Sequence, residues 1–167
     1  MKHIILKLSI AAILFSNFVN AQTNNSSDTH LGDEYLALYT DLKFDEMMAF
    51  YSDDSVFEDP TMSFFSKDLS YEIIKGPKNI NAFLKEGFKK ITNTEFIIEK
   101  QYKVGAIQFY YGTLNYKYNI GKESESKVIT FSIPLAIILT IKDDKVIHHQ
   151  DIADYNIWLK QYNEQLN

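Results

Sequence analysis

The chain has no cysteine, only three prolines, six glycines and one tryptophan in 167 residues, and all of its 17 basic side chains apart from histidine are lysine. Without cysteine there is no disulfide, no thiolate metal ligand, no cysteine nucleophile and no lipid anchor on a cysteine. Without arginine there is no bidentate phosphate clamp, and a formal charge of −5 argues further against nucleic acid as a partner. Glycine-rich phosphate loops and Gly-x-Ser-x-Gly elbows are missing as well. His149 and Asp151 are too few for a metal site, and the adjacent His148 and His149 point to opposite faces of a strand. The sequence therefore calls for no metal and no cofactor. What it does contain is 46% hydrophobic and 14% aromatic residues, ample for the core of one globular domain.

Three segments follow from polarity. Residues 1–21 read as a signal peptide: Lys2 and Lys7 make a basic start, 8–19 is mostly apolar, and Val19-Asn20-Ala21 offers small residues where a signal peptidase cuts. The apolar core falls short of the roughly 20 residues of a spanning helix. Cleavage after Ala21 would leave an exported protein, periplasmic or extracellular, with no membrane attachment. Residues 22–30 have almost no apolar side chain and read as a disordered tether, and 31–167 forms the domain.

Within the domain, Leu31, Tyr35, Leu38, Tyr39 and Leu42 recur at helical spacing and predict a helix over 31–42. A short second helix over 44–51 would pack Phe44, Met47, Met48 and Tyr51 inward. In 52–61 (SDDSVFEDPT), Val56-Phe57-Glu58 reads as a short strand stopped by Pro60, which has no amide proton and holds Asp59 extended. Asp59 is then either the start of an Asp-Pro turn or an acid held at the rim of a cavity, where desolvation makes it a usable base. Residues 62–75 are too apolar for a solvated loop and read as a lid over a pocket or a surface buried on a partner subunit. Gly76-Pro77 opens a third helix with Ile80, Phe83, Leu84, Gly87 and Ile91 on its buried stripe. Strands are expected over 95–104, 107–120, 127–141 and 146–153, and Asp154 as the cap of a last helix over 155–166.

From Tyr35 to Pro60 the chain reads YLALYTDLKFDEMMAFYSDDSVFEDP, which resembles the front half of the ketosteroid isomerases and, more broadly, the nuclear transport factor two-like superfamily with its SnoaL-like polyketide cyclases. The segment 149–155, HQDIADY, looks like the last strand of the SnoaL-like proteins. The resemblance implies an α+β fold: a cystatin-like curved antiparallel sheet wrapped around the N-terminal helices as a cone with one pocket. It implies Asp59 as general base, Tyr35 as oxyanion donor, and Asp151 with His149 as a second acidic group. Tyr39, Phe57, Phe64, Phe83, Tyr116 and Ile137 are the expected pocket wall, and a homodimer through the sheet is the implied assembly. Two departures weigh on the chemistry. The isomerases' second acid falls at about Ile137, which cannot donate a hydrogen bond, unless Tyr116 or His149 replaces it. The arginine-bearing triad of epoxide hydrolases of this fold cannot form at all. Two functions stay open: a cofactor-free isomerase, cyclase or lyase, and a non-catalytic binding or accessory module for a small apolar molecule.

Overall fold

The computed structural model describes residues 26–65, 73–121 and 127–166. Helix α1 (Ser26–Thr40) is followed by a one-turn α2 (Phe44–Met47) that tightens into a 3-10 turn (Met48–Phe50) and runs into strand β1 (Tyr51–Glu58). A one-turn α3 (Met62–Phe65), a short strand β2 (Ile73–Lys75) and helix α4 (Pro77–Phe88) come next. Three long strands, β3 (Ile91–Val104), β4 (Ile107–Ile120) and β5 (Lys127–Lys142), lead to β6 (Lys145–Ala153) and the C-terminal helix α5 (Tyr155–Leu166).

The strands form one open six-stranded sheet in the order β2-β1-β6-β5-β4-β3, an α+β architecture. All neighbours run antiparallel except β1 and β6, which are parallel. The expected curved antiparallel sheet is present, with one parallel seam between β1 and β6. β1 enters from the helices and meets β6 from the same end, with Phe57 level with His149. Strand β5 explains the sheet's two-layer packing. Ile129, Phe131, Ile133, Leu135, Ile137, Leu139 and Ile141 recur at period two and are all buried beneath the helices. Register shifts in β3, between Thr92 and Glu95 and between Ile98 and Lys100, bend the sheet around α1. At the second of them β4 comes so close that a Cβ on Gly112 would lie 2.0 Å from the Ile97 carbonyl oxygen. The hairpin between β5 and β6 turns on Asp143 and Asp144, both at positive φ, as a two-residue turn requires.

Helix α1 lies across the concave face, fastened at its middle by Asp33, which accepts hydrogen bonds from Lys103 Nζ at 2.7 Å and Gln101 Nε2 at 2.8 Å. Several boundaries differ from the sequence expectation. The described part of α1 already includes Ser26–His30, inside the expected tether. Tyr51 leaves the second helix for β1, its backbone extended at φ −91°, ψ 154° and its ring edge-on to Tyr35. α4 ends at Phe88, so Ile91 opens β3 instead of closing the helix. The expected signal peptide (1–21) and most of the expected lid (66–72) lie outside the described residues. Among the described residues no helix is long and apolar enough to cross a membrane.

Candidate functional site

Between α1, α4 and the bent sheet lies a cavity of about 300 Å³. Tyr39 of α1 and Phe83, Gly87 and Phe88 of α4 form one wall. Leu114, Tyr116 and Tyr118 of β4 with Ile133 and Leu135 of β5 form the opposite one. Phe57 and Asp59 enter at the end of β1, Asp151 and Ala153 at the end of β6, and Met62, Tyr155 and Trp158 close the remaining side. Two carboxylates therefore face one ring-rich hollow.

Asp59 combines the two roles open to it from sequence. Its Oδ1 holds a turn, accepting hydrogen bonds from the Thr61 amide (2.9 Å), the Thr61 hydroxyl (2.5 Å) and the Met62 amide (3.2 Å), so the start of α3 is capped. Its Oδ2 accepts from the Tyr155 hydroxyl at 2.6 Å. Thr61 in turn accepts from the Ala153 amide at 3.0 Å, which ties the turn to β6. Burial raises the Asp59 pKa; the Thr61 and Tyr155 hydrogen bonds oppose that rise and the nearby Asp151 charge adds to it. Pro60 ends β1 and Tyr155 opens α5, so two chain punctuations set this geometry.

Asp151 ends a buried chain of polar groups. Its Oδ1 is 2.8 Å from His149 Nε2, its Oδ2 accepts from the Tyr39 hydroxyl, His149 Nδ1 is 2.5 Å from the Tyr35 hydroxyl, and Tyr35 is bonded to Tyr51. The donors order themselves. With a neutral ring, the proton on Nε2 goes to the carboxylate, Nδ1 accepts from Tyr35, and the Tyr35 oxygen accepts from Tyr51. His149 and Tyr35 are fully buried, and the His149 ring sits edge-on to Phe57, Tyr39 and Tyr35. Burial, followed by the Asp151 charge, pushes the Tyr39 phenol well above its ordinary range; burial and Tyr51 do the same for Tyr35. Among the described residues no group of three or more potential metal ligands converges.

Of the residues expected at the site, Asp59, Asp151, Tyr39, Phe57, Phe83 and Tyr116 come together on the cavity. Tyr35 does not reach it: the helical turn that brings Tyr39 to the cavity leaves Tyr35 behind the wall, against His149. His149 likewise acts from behind Asp151 and not on the cavity surface. Ile137 is fully buried in the core and is not a wall residue, yet its cross-strand partner is Asp151. The acid absent from Ile137 thus has a counterpart directly opposite on β6. The side chain of Phe64 lies outside the described residues. His148 projects to the other face, 2.8 Å from Glu58 Oε1, which also accepts from Gln150 at 2.7 Å. Sequence reasoning missed Tyr155, Tyr51, Thr61 and Trp158 as parts of the site. Tyr155 meets Asp59 across 96 positions, a contact no local pattern announces.

Comparisons with known proteins agree with this geometry. The family model for the SnoaL-like domain matches residues 33–149. No curated protein sequence is a significant match. A protein described as a SnoaL-like polyketide cyclase from Shewanella putrefaciens is similar at 23% identity over 82% of this chain and 96% of that one, with a TM-score of 0.70. A second, from Shewanella denitrificans, is similar at 20% identity over 84% and 99%, with a TM-score of 0.71. A protein of ketosteroid isomerase-like fold from Catenulispora acidiphila, in complex with trimethylamine, is similar at 16% identity over 72% and 82%, with a TM-score of 0.54. By the family model, which spans 33–149, the chain belongs to the SnoaL-like domain family.

Proposed function

We propose that the protein is a small-molecule pocket protein capable of cofactor-independent proton transfer next to a carbonyl, as an isomerase, cyclase or lyase. The observation that carries this reading is the convergence of Asp59 and Asp151 on one apolar cavity. Asp59 takes the proton from the carbon beside the carbonyl, since burial has already made its carboxylate more basic. The oxyanion donor expected at Tyr35 is supplied instead by Tyr116. This phenol lines the cavity, where its O–H donates to the developing enolate. In an isomerase the proton then returns from Asp59 to a different carbon.

A second reading, a binding module without chemistry, is favoured by one observation: three of the hydrogen bonds to Asp59 hold a turn, two of them from backbone amides as in an ordinary Asp cap. The trimethylamine held by the Catenulispora relative fits either reading. We extend both to an exported protein, on the strength of residues 1–21, and to a homodimer through the outer sheet face, where Tyr102, Val104 and Ile107 are exposed. The test is conversion of 3-cyclohexen-1-one to its conjugated isomer, followed by ultraviolet absorbance. Proton transfer predicts turnover that falls at least about 100-fold in Asp59→Asn. Binding of the ketone with no turnover selects the second reading.

A further inference from the structure

We propose that the ligand of this cavity is a small organic cation, a protonated or quaternary amine on an apolar body, with its charge at Asp151 and its hydrocarbon among the rings. The inference rests on the pocket reading above, but not on the chemistry assigned to it. Of the seventeen described residues on the cavity surface eight are aromatic, two are aspartates, and none is lysine or histidine. A carboxylate withdrawn from water needs a counter-charge or several hydrogen bonds; His149 stands 2.8 Å behind Asp151, and no described cationic side chain stands on the cavity side, which leaves that side to the ligand.

The hydrogen bonds reinforce this. Everything described around the two carboxylates donates to them: the Tyr39 hydroxyl and His149 to Asp151, the Tyr155 hydroxyl to Asp59. Each of these oxygens has a second lone pair, so the cavity offers acceptors to a ligand N–H. Phenol faces attract ammonium groups, most strongly where water is excluded, and Tyr39, Tyr116, Tyr118 and Tyr155 bring phenol rings to the wall, while the Trp158 ring is stacked on Phe131 and Tyr162 and offers its edge. Lys90 already lies 6.0 Å over the Tyr118 ring, outside the cavity wall, so that ring accepts a cation. An anionic or phosphorylated ligand would meet two carboxylates and, among the described lining residues, no cationic side chain. A volume of about 300 Å³ suits a compact amine and sits at the small end of ligand pockets.

The single tryptophan, Trp158, lines the cavity and reports occupancy by its fluorescence. Phenyltrimethylammonium and tert-butylbenzene have nearly the same shape and differ in charge, so titrating both into the full-length protein isolates the charge. The expected result is binding of the ammonium at least tenfold tighter than the hydrocarbon. In Asp151→Asn the ammonium should lose that advantage while the hydrocarbon binds as before. Should Asp151→Asn not fold, Asp59→Asn provides the second variant, with a smaller loss in the same direction. Equal or tighter binding of tert-butylbenzene by the native protein overturns the cation inference and leaves the pocket reading standing. No response to either probe overturns both.

Discussion

Asp59 holds a turn with one oxygen and faces the cavity with the other, and this division has a consequence for stability. Its pKa in the fold is raised above 3.8 by burial. The unfolded chain releases that proton near 3.8, so the folded state binds it more tightly. The associated stability is fully present below 3.8 and is lost as pH rises through the folded value. Asp59→Asn keeps an acceptor for Thr61 and carries no charge. It should therefore melt higher than the native protein at neutral pH, with the gap closing as pH falls towards 3.8, as thermal unfolding across pH will measure. The buried chain behind Asp151 behaves in the opposite way. His149→Phe strands the Tyr35 hydroxyl and one Asp151 oxygen, at a cost of about 1–3 kcal/mol for each buried group left without a partner. Urea unfolding should register this loss, while Tyr35→Phe, which removes a single hydroxyl, should cost less. The sequence revealed part of this. Pro60 made Asp59 conspicuous and period two put His149 and Asp151 on one face, but the turn that sets Tyr39 on the cavity and Tyr35 behind it is a matter of packing.

Helix α5 illustrates what an element needs beyond its own periodicity. Its start was legible: Asp154 Oδ1 accepts from the Asn156 and Ile157 amides, each at 3.1 Å, as a capping residue should. Its docking was not. β6 ends at Ala153, which leaves the lower half of β5 with an unpaired edge. Gln165 fills the next strand's place by accepting from the Thr130 amide (2.9 Å) and donating to its carbonyl (2.7 Å). Gln161, one helical turn earlier, does the same for Ser132 at 2.9 and 2.8 Å. Two side-chain amides thus close a sheet edge that would otherwise be open to pairing with another chain. Above them Phe131, Trp158 and Tyr162 stack nearly parallel, with ring centroids 4.9 and 5.0 Å apart. Replacing both Gln161 and Gln165 by alanine should speed hydrogen exchange at the Thr130 and Ser132 amides. It should leave the amides at the β3–β4 seam protected. Glutamine spacing of four on a helix reads as an exposed face, so nothing in the sequence marks it as a strand surrogate.

At the scale of the molecule, the long β4 and β5 strands carry apolar residues on both sides. The inner set makes the core, and the outer set continues into Tyr102, Val104 and Ile107, with Val104 75% exposed. A homodimer across this face should dissociate when Val104 and Ile107 are both changed to lysine, and sedimentation equilibrium would detect the change. The overall architecture was readable because it rests on strong repeating signals: helix periodicity, β5 alternation, and the Tyr35 to Pro60 stretch. The parallel β1–β6 seam and the cavity itself join residues 90 or more positions apart, where sequence patterns carry no distance. Asp59 and Asp151 share one hollow among the rings, and carboxyl-carbon NMR titration of Asp59, in the native protein and in Asp151→Asn, reads this out. The expected midpoint lies above 3.8 and falls when the Asp151 charge is removed. A midpoint at the ordinary value, unmoved by that substitution, would contradict it.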